Sequence, residues 1–225
     1  MEPPILVVSP HLDDGVFGCG VALAGRPGSV VLTIFAGRPA ATAALTEWDA
    51  AAGFAASDDV IGARRAEDAA AVGELGARPV WLDFRDSQYG PSPAVAEIAA
   101  ALDRAIALTD APAVFIPLGL FHSDHALAHD AALAVLSRHT DRRWLAYGDS
   151  IYRRLPGLVM ERLQRLERAG FGPRPTTLSS VPDERRRKLG AVQRYRSQLR
   201  ALASPGRSGH ADTGATEEYW RLGHA

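Results

Sequence analysis

The N-terminal sequence reads Ile5-Leu6-Val7-Val8, then Ser9-Pro10-His11-Leu12-Asp13-Asp14, then Gly15-Val16-Phe17-Gly18-Cys19-Gly20. The four apolar residues predict a buried β-strand, and the glycine-rich segment predicts the start of a helix. At the carboxyl end of a parallel strand, side chains project into the crevice above the sheet. One imidazole and two carboxylates there indicate a metal-assisted site. The alternative is that Asp13 or Asp14 only caps the helix, since aspartate is a preferred N-cap residue.

Composition places the chain among α/β proteins of ordinary size. Its 225 residues are 47% hydrophobic and 23% charged, which is enough to bury a core, and we expect a single domain over residues 1–225. The 25 basic and 26 acidic residues give a formal net charge of -1. This balance provides no global field for binding nucleic acid, so that class of partner is not expected.

Cys19 is the only cysteine, which excludes an intramolecular disulfide and a thiolate zinc cluster. Its place in an apolar helix start predicts a small core residue. No run of residues approaches the roughly 18 apolar residues of a membrane span, and the N-terminus lacks the pattern of a signal peptide. We therefore expect no membrane span and a cytoplasmic location, and the sequence leaves homo-oligomerisation open.

Strands and helices alternate along the first two thirds of the chain. Further strands are predicted at 29–35, 79–84, 114–118 and 143–147, and helices at 63–75, 93–108 and 126–138. Repeated β-α units predict a mostly parallel sheet covered by helices on both faces. The expected fold is therefore a Rossmann-like, three-layer α/β/α fold.

Other segments are less regular. Residues 40–59 suggest a flexible loop with a short helix over the edge of the site, and the Gly/Ser-rich residues 203–216 suggest a mobile loop. The cluster Arg185-Arg186-Arg187-Lys188 opens one predicted helix reaching Leu202, and we interpret it as a solvated helix face rather than a phosphate site. The part from about residue 150 to 225 is expected to form loops and a helix around a substrate pocket.

A second polar cluster, His122-Ser123-Asp124-His125, also follows a predicted strand and precedes a predicted helix. In one parallel sheet both clusters lie at the same edge and can meet. Catalytic zinc takes three protein ligands and leaves one position for water, and two histidines with one aspartate fill that set. A further carboxylate can then act as general base and a further imidazole as general acid. The inventory favours metal-assisted hydrolysis, and the bond that is hydrolysed, whether in an amide or in a phosphoester, stays open at this point.

These motifs resemble those of the LmbE-like or PIG-L family of zinc-dependent N-acetylglucosaminyl de-N-acetylases, which carry Pro-His-Pro-Asp-Asp-Glu and His-Pro-Asp-His patterns. Leu12 and Ser123 replace prolines that carry no chemistry. Gly15 replaces an acidic residue, so any support that its carboxylate would give to the metal ligands is missing. The resemblance extends along most of the chain. Its further matches are Arg64 with Glu67, Gly148-Asp149, and Lys188 with Ser197-Gln198.

The resemblance implies a role for each matching residue. The implied zinc ligands are His11, Asp14 and His125. Asp13 would be the general base, and His122 would protonate the leaving amine or stabilise the oxyanion, oriented by Asp124. Arg64 would contact substrate hydroxyl groups.

The expected function is a zinc-dependent hydrolase that removes an N-acetyl or similar acyl group from an amino sugar or sugar conjugate. One alternative is a metal-dependent amidase acting on a non-sugar amide; another is a catalytically silent binding module of the same fold. Imidazole and carboxylate ligands also suit iron(II) and cobalt, so the metal stays open at this point.

Three further residues allow two interpretations each. His129 lies four residues after His125 on the same helix face and is either an extra ligand or, as we favour, a neighbouring or surface histidine. Asp86 and Tyr89 follow a predicted strand and either line the pocket or belong to a turn.

Overall fold

A seven-stranded sheet forms the centre of the computed structural model, which describes residues 2–40, 44–207 and 209–223. In chain order the strands are β1 (Leu6–Ser9), β2 (Val30–Thr33), β3 (Arg78–Trp81), β4 (Ala113–Pro117), β5 (Arg143–Tyr147), β6 (Arg174–Thr176) and β7 (Tyr219–Leu222). They lie in the order β3-β2-β1-β4-β5-β7-β6. The first five pair in parallel, whereas β7 pairs antiparallel with β5 and with β6.

Helices cover both faces of this sheet. They are α1 (Asp14–Ala24), α2 (Glu47–Ala51), α3 (Val60–Glu74), α4 (Val95–Ala107), α5 (Ser123–Leu136), α6 (Leu158–Arg168), α7 (Pro182–Val192) and α8 (Arg196–Leu202). Helices α1, α3 and α7 share one core with Val7, while α4, α5 and α6 share the other with Leu6 and Val8. Successive strand residues point to opposite faces, so β1 contributes to both cores. The predicted three-layer α/β/α fold is confirmed.

The strand order reverses between β1 and β4, which are neighbours although β2 and β3 lie between them in sequence. In open α/β sheets, the crevice for ligands forms outside the carboxyl ends of the strands at such a reversal. The two polar clusters leave β1 and β4, so the topology brings them to this crevice.

Helix α1 packs very closely on β5. A Cβ atom at Gly18 would lie 2.5 Å from Cδ2 of Tyr147, a fully buried residue whose hydroxyl donates a hydrogen bond to the Val8 carbonyl oxygen at 2.9 Å. No side chain larger than hydrogen fits at this point. Glycine here keeps α1 near the carboxyl end of β1.

Gly18→Ala is therefore expected to lower the free energy of unfolding by about 1–3 kcal/mol, because overpacking forces the Tyr147 ring to shift. Gly73→Ala is the matched control, since a Cβ at that exposed position in α3 meets nothing within 4 Å. It should raise stability by roughly 0.5–1 kcal/mol through helix propensity. Urea unfolding measures the free energy of unfolding of both variants. Equal stability of Gly18→Ala and the wild type would contradict the close packing of α1 on Tyr147.

The prediction of one helix over residues 185–202 is wrong, because α7 ends at Val192 and α8 begins at Arg196. The break turns Tyr195 into the core, where its hydroxyl donates to Asp68 Oδ1 at 2.7 Å and its ring lies 5.5 Å from that of Phe17. Burial of this aromatic ring accounts for the interruption.

The basic cluster is not wholly a solvated face either. Lys188 is 1% exposed, and its Nζ donates to the Phe17 carbonyl oxygen and lies 2.8 Å from Glu217 Oε1. Arg187 donates hydrogen bonds to the carbonyl oxygens of Ala24 and Glu74. These two residues tie α7 to α1 and α3, so that part of the interpretation is wrong.

The segment 203–216 contains a 3₁₀ helix, Ala211–Gly214, in which Asp212 and Thr213 are buried. Asp212 accepts hydrogen bonds from the Arg153 guanidinium at 2.8 and 3.1 Å and from the Ile151 N–H at 2.9 Å. The mobile-loop interpretation is wrong for this helix, and Ser208 lies outside the described residues.

Within 40–59, the short helix is confirmed as α2, and residues 41–43 lie outside the described part of the chain. Cys19 is buried, as predicted. None of the helices in the described ranges is both long and apolar enough to cross a membrane.

Candidate active site

The start of α1 is capped by a residue other than the two aspartates. The Gly15 N–H donates to Ser9 Oγ at 2.7 Å, and Ser9 Oγ donates to the His11 carbonyl oxygen at 2.6 Å. Asp13 occupies the N-cap position but its side chain makes no capping hydrogen bond, and the Asp14 carboxylate is used elsewhere. The capping alternative is wrong, and both carboxylates are available to the crevice.

The Asp14 carboxylate lies between two imidazole rings. Its Oδ2 is 3.1 Å from His11 Nδ1 and 3.1 Å from His125 Nε2, and it also accepts a hydrogen bond from the His11 N–H at 3.0 Å. The ligand atoms of these three residues all lie within 4.8 Å of one another. Tetrahedral zinc, with bonds of about 2.0–2.1 Å, holds its ligand atoms roughly 3.3 Å apart. The three side chains fit a divalent metal ion of this kind.

Each imidazole is held on its far side by another carboxylate. His11 Nε2 lies 3.1 Å from Asp124 Oδ2, and His125 Nδ1 lies 2.6 Å from Asp149 Oδ1. Carboxylates in this position fix the orientation of metal-binding histidines and make them better donors. Backbone groups hold these carboxylates in turn, since Ser87 N–H donates to Asp124 Oδ2 at 3.0 Å.

The cluster is strongly charged without a metal. Burial lowers the pKa of His125, but the charge of Asp14 and hydrogen bonds to Asp14 and Asp149 outweigh it and raise that pKa to about 9. Burial raises the pKa of Asp14, yet the two histidines hold it well below its usual value. Against burial, the hydrogen bond and charge of His11 lower the pKa of Asp124 to about 2. Without a metal, protons on the His11 and His125 rings thus pair with the Asp14 carboxylate, where a bound divalent cation would replace them.

Asp13 stands beside this cluster without belonging to it. Its residue surface is 8% exposed, and its carboxyl makes no hydrogen bond with any residue the structure describes. Burial, together with the charge of Asp14, raises the pKa of Asp13 to about 8. A carboxylate free of metal and hydrogen-bond partners can accept a proton from a nearby water.

His122 is the N-cap residue of helix α5, and its Nδ1 accepts a hydrogen bond from the Asp124 N–H at 3.2 Å. This assigns the proton of the neutral ring to Nε2. Burial and the charges of His11 and His125 lower the pKa of His122, which favours that neutral form. Asp124 therefore orients His122 through its backbone N–H, while its carboxylate holds His11.

A second set of donor atoms overlaps the first. His11, His122 and Asp124 also offer ligand atoms within 4.8 Å of one another. The Asp124 Oδ1 atom is buried and has no hydrogen-bond partner in the described structure. A cation in excess could therefore engage His122 as a ligand.

Arg64 is 3% exposed, and its charge acts to lower the pKa of Asp13, against the larger effect of burial. Its Nη2 is 2.9 Å from Asp49 Oδ1, although no N–H of Nη2 points at an acceptor, and its Nη1 donates to the Tyr89 hydroxyl at 3.3 Å. Tyr89 donates to Asp49 Oδ2 at 2.9 Å. Asp49 and Tyr89 line a cavity of about 600 Å³, bounded otherwise mainly by residues 38–40 and 55–61.

The structure locates Asp86, Tyr89 and His129, for which the sequence allows two interpretations each. Asp86 caps the 3₁₀ helix Ser87–Tyr89 and also lies 3.9 Å from His11 Nε2, so both interpretations hold. Tyr89 likewise ends that helix and lines the cavity. His129 is buried, its Nδ1 lies 2.8 Å from the Pro117 carbonyl oxygen, and it belongs to neither donor set, so it is not a surface residue.

The sequence motifs include Asp149 only in the matching pair Gly148-Asp149, without a role, and do not include Phe121 or Tyr152. Asp149 follows β5, which neighbours β4, so its place at the carboxyl end of a strand also predicts that it lies near the two clusters. Tyr152 contacts the rings of His122 and His125 from a short 3₁₀ helix that no sequence pattern announces.

Known proteins resemble this chain in both sequence and structure. The family model for PIG-L, GlcNAc-PI de-N-acetylase, matches residues 6–136, which include both clusters. No curated protein sequence matches. The A40926 pseudoaglycone deacetylase Dbv21 is 26% identical, covering 100% of this chain and 98% of that one with a TM-score of 0.79.

Two deacetylase structures from teicoplanin biosynthesis are also similar. A triple mutant of a deacetylase in that pathway is 25% identical, covering 99% of this chain and 98% of that one, with a TM-score of 0.78. The zinc-inhibited form of teicoplanin deacetylase Orf2 is 23% identical with the same coverage and a TM-score of 0.80, a likeness that concerns the fold alone.

Proposed function

The chain belongs to the PIG-L family of de-N-acetylases, and from this premise we propose that it hydrolyses the amide of an N-acetylated, or similarly N-acylated, amino sugar or sugar conjugate. The observation that carries the proposal is the convergence of His11, Asp14 and His125 at one edge of the sheet, with the Asp13 carboxyl free beside them. A metal site with an adjacent free carboxylate is the arrangement that amide hydrolysis needs.

We propose zinc as the metal. Two imidazoles and one carboxylate are a donor set that suits it, whereas magnesium prefers oxygen ligands throughout. His11, Asp14 and His125 would hold the ion, which when bound supplies a Lewis acid that polarises the acyl carbonyl and acidifies water. Asp124 and Asp149 would keep the two rings oriented through their far nitrogens.

The residues of the chain then carry the proton transfers. Asp13 removes a proton from the attacking water as its oxygen bonds to the acyl carbon. His122, neutral with its proton on Nε2, stabilises the developing oxyanion or gives a proton to the leaving nitrogen. The C–N bond breaks, and acetate and a free amine leave. Asp124 acts as a positioning residue, through its backbone N–H for His122 and its carboxylate for His11.

Arg64 is proposed to bind substrate hydroxyl groups together with its partners Asp49 and Tyr89, which reach the cavity wall. Residues 1–225 are proposed to form one domain whose part after residue 150 shapes the pocket. The bonds from Ile151 and Arg153 to Asp212, which join the loop after β5 to the C-terminal region, support this role.

The test is the release of acetate and free amine from a panel of N-acetylated sugars and their conjugates, with metal content determined on the same sample. We expect chelation to abolish release and one equivalent of zinc per chain to restore it. Metal-loaded protein that is inert on the sugars but hydrolyses simple N-acetyl amides would favour the non-sugar amidase instead.

Excess zinc is expected to inhibit. Beyond one equivalent, a second ion can engage His122 and Asp124 of the overlapping set, which removes His122 from proton transfer. Activity plotted against zinc should rise to a maximum near one equivalent per chain and then fall. A curve that stays level at many equivalents would contradict the second set.

A further inference from the structure

Two loops at the mouth of the site contain strained residues. Among the described residues, the non-glycine residues with positive φ are Phe121, at 59°, and Ile151, at 67°. Aromatic and β-branched side chains avoid this left-handed region of backbone conformation. Phe121 follows β4 and Ile151 follows β5, so the strain lies at the carboxyl ends of two adjacent parallel strands.

Each strained residue is the centre of a γ-turn. The His122 N–H donates to the Leu120 carbonyl oxygen at 2.6 Å, and the Tyr152 N–H donates to the Ser150 carbonyl oxygen at 2.9 Å. Such turns with positive φ are rare and strained. Strain of this kind persists where neighbouring contacts enforce it, and it clusters at functional sites.

Buried carboxylates enforce both turns. Asp149 accepts from the Leu120 N–H at 3.1 Å, and Asp212 accepts from the Ile151 N–H at 2.9 Å. The last residue of each turn is His122 in one loop and Tyr152 in the other. A strained turn held by a buried carboxylate therefore positions both a proposed catalytic imidazole and a tyrosine that the proposed reaction does not use.

The two loops also bring Phe121 and Tyr152 together into a pair that we name the aromatic ledge. Their ring centroids are 5.3 Å apart with an interplanar angle of 30°. Tyr152 meets the His125 ring edge-on at 5.2 Å and stacks on His122 at 6.4 Å, so the ledge is continuous with the metal-binding cluster. Phe121 extends outward and is 73% exposed.

Phe121 is thus both strained and exposed, and the contact with Tyr152 is the one aromatic contact of its ring in the described structure. We propose that the aromatic ledge binds an apolar, preferentially aromatic, group attached to the amino sugar. The inference rests on the proposed function, because the amide would react beside His122 and His125, and the ledge begins at the rings of these two histidines and extends outward from them. The ledge makes aromatic glycosides better substrates than small, polar ones.

Direct binding tests this without requiring turnover. The probes are 2-naphthyl β-D-glucopyranoside and methyl β-D-glucopyranoside, which lack an amide and differ in the apolar group alone. We expect the naphthyl probe to bind the zinc-loaded protein about tenfold more tightly, in keeping with the strength of aromatic stacking. Equal affinities, measured by calorimetry, would overturn the proposal.

Phe121→Asn removes the ring but keeps a residue that tolerates left-handed backbone. It should weaken naphthyl binding about tenfold and leave methyl binding unchanged, whereas Phe121→Trp should retain it. Phe121→Gly, which relieves the strain entirely, should match the asparagine variant. Leu108→Asn is the control, since it removes an 85% exposed apolar side chain at the far end of α4. Unchanged naphthyl binding in both Phe121→Asn and Phe121→Gly would overturn the proposal.

Activity on the matching N-acetylglucosaminides separates this inference from the proposed function. If both glycosides are deacetylated with the same KM, the ledge proposal fails while the deacetylase stands. If neither releases acetate but naphthyl binding still depends on Phe121, the deacetylase fails while the ledge stands. We expect a KM about tenfold lower for the naphthyl than for the methyl glycoside, and this difference between the two glycosides should be lost in Phe121→Asn.

Discussion

Asp13→Asn is expected to lower kcat by about 10²–10⁴-fold while zinc content stays at the wild-type level. The amide has the shape of the carboxyl group but cannot take a proton from water. Asp13 lies outside both donor sets and makes no hydrogen bond to any described residue, so the change should disturb neither the metal nor the fold. Acetate release and metal analysis on one sample measure both quantities.

Asp141→Asn is the matched control, because that side chain is 76% exposed and distant in sequence from both clusters. It should retain full activity. Normal turnover by Asp13→Asn would mean that another group is the base, and a catalytically silent binding module would show no change of function at all. Loss of zinc from the variant would instead make Asp13 a ligand.

His11→Ala is expected to lose the metal itself. His11 belongs to both donor sets, and its N–H and Nδ1 both hold Asp14 Oδ2. Removing this side chain therefore deletes one ligand and one of the two His11 contacts that hold Asp14, although the backbone N–H remains. Since losing only an outer partner of a ligand costs 10–100-fold in metal affinity, we expect a fall of more than about 100-fold and activity at background.

His129→Asn is the control for this experiment. Its amide nitrogen can replace the hydrogen bond of His129 Nδ1 to the Pro117 carbonyl oxygen. Zinc content should stay at one per chain, which also tests the interpretation of His129 as an extra ligand. Retention of zinc in His11→Ala, or its loss in His129→Asn, would contradict the assigned ligand set.

The sequence was most informative where function depends on local order. A buried strand followed at once by His11 and Asp14, and another followed by His122 and His125, was enough to predict one shared site. Parallel strands align their carboxyl ends, so the strand pattern alone predicts the edge of the sheet at which both clusters lie. Strand order, which puts β1 beside β4, came from the structure.

Features that depend on distant partners were not predictable in this way. Lys188 looks like one of four surface cations in a row, yet Glu217, far along the chain, pairs with it in the interior. The break between α7 and α8 lets Tyr195 pack against Phe17, and β7 forms by pairing with β5. In each case the deciding contact is made by a residue that the local pattern does not contain.

The proposed reaction depends on one metal centre built from the ends of two separate strands. Anomalous diffraction above the zinc edge, from crystals holding one equivalent of zinc, tests this most directly. We predict a single strong peak bounded by His11, Asp14 and His125, with Asp13 near the ion but not bonded to it. A peak at other residues, or full occupancy of zinc elsewhere with these three side chains still paired to one another, would contradict the account.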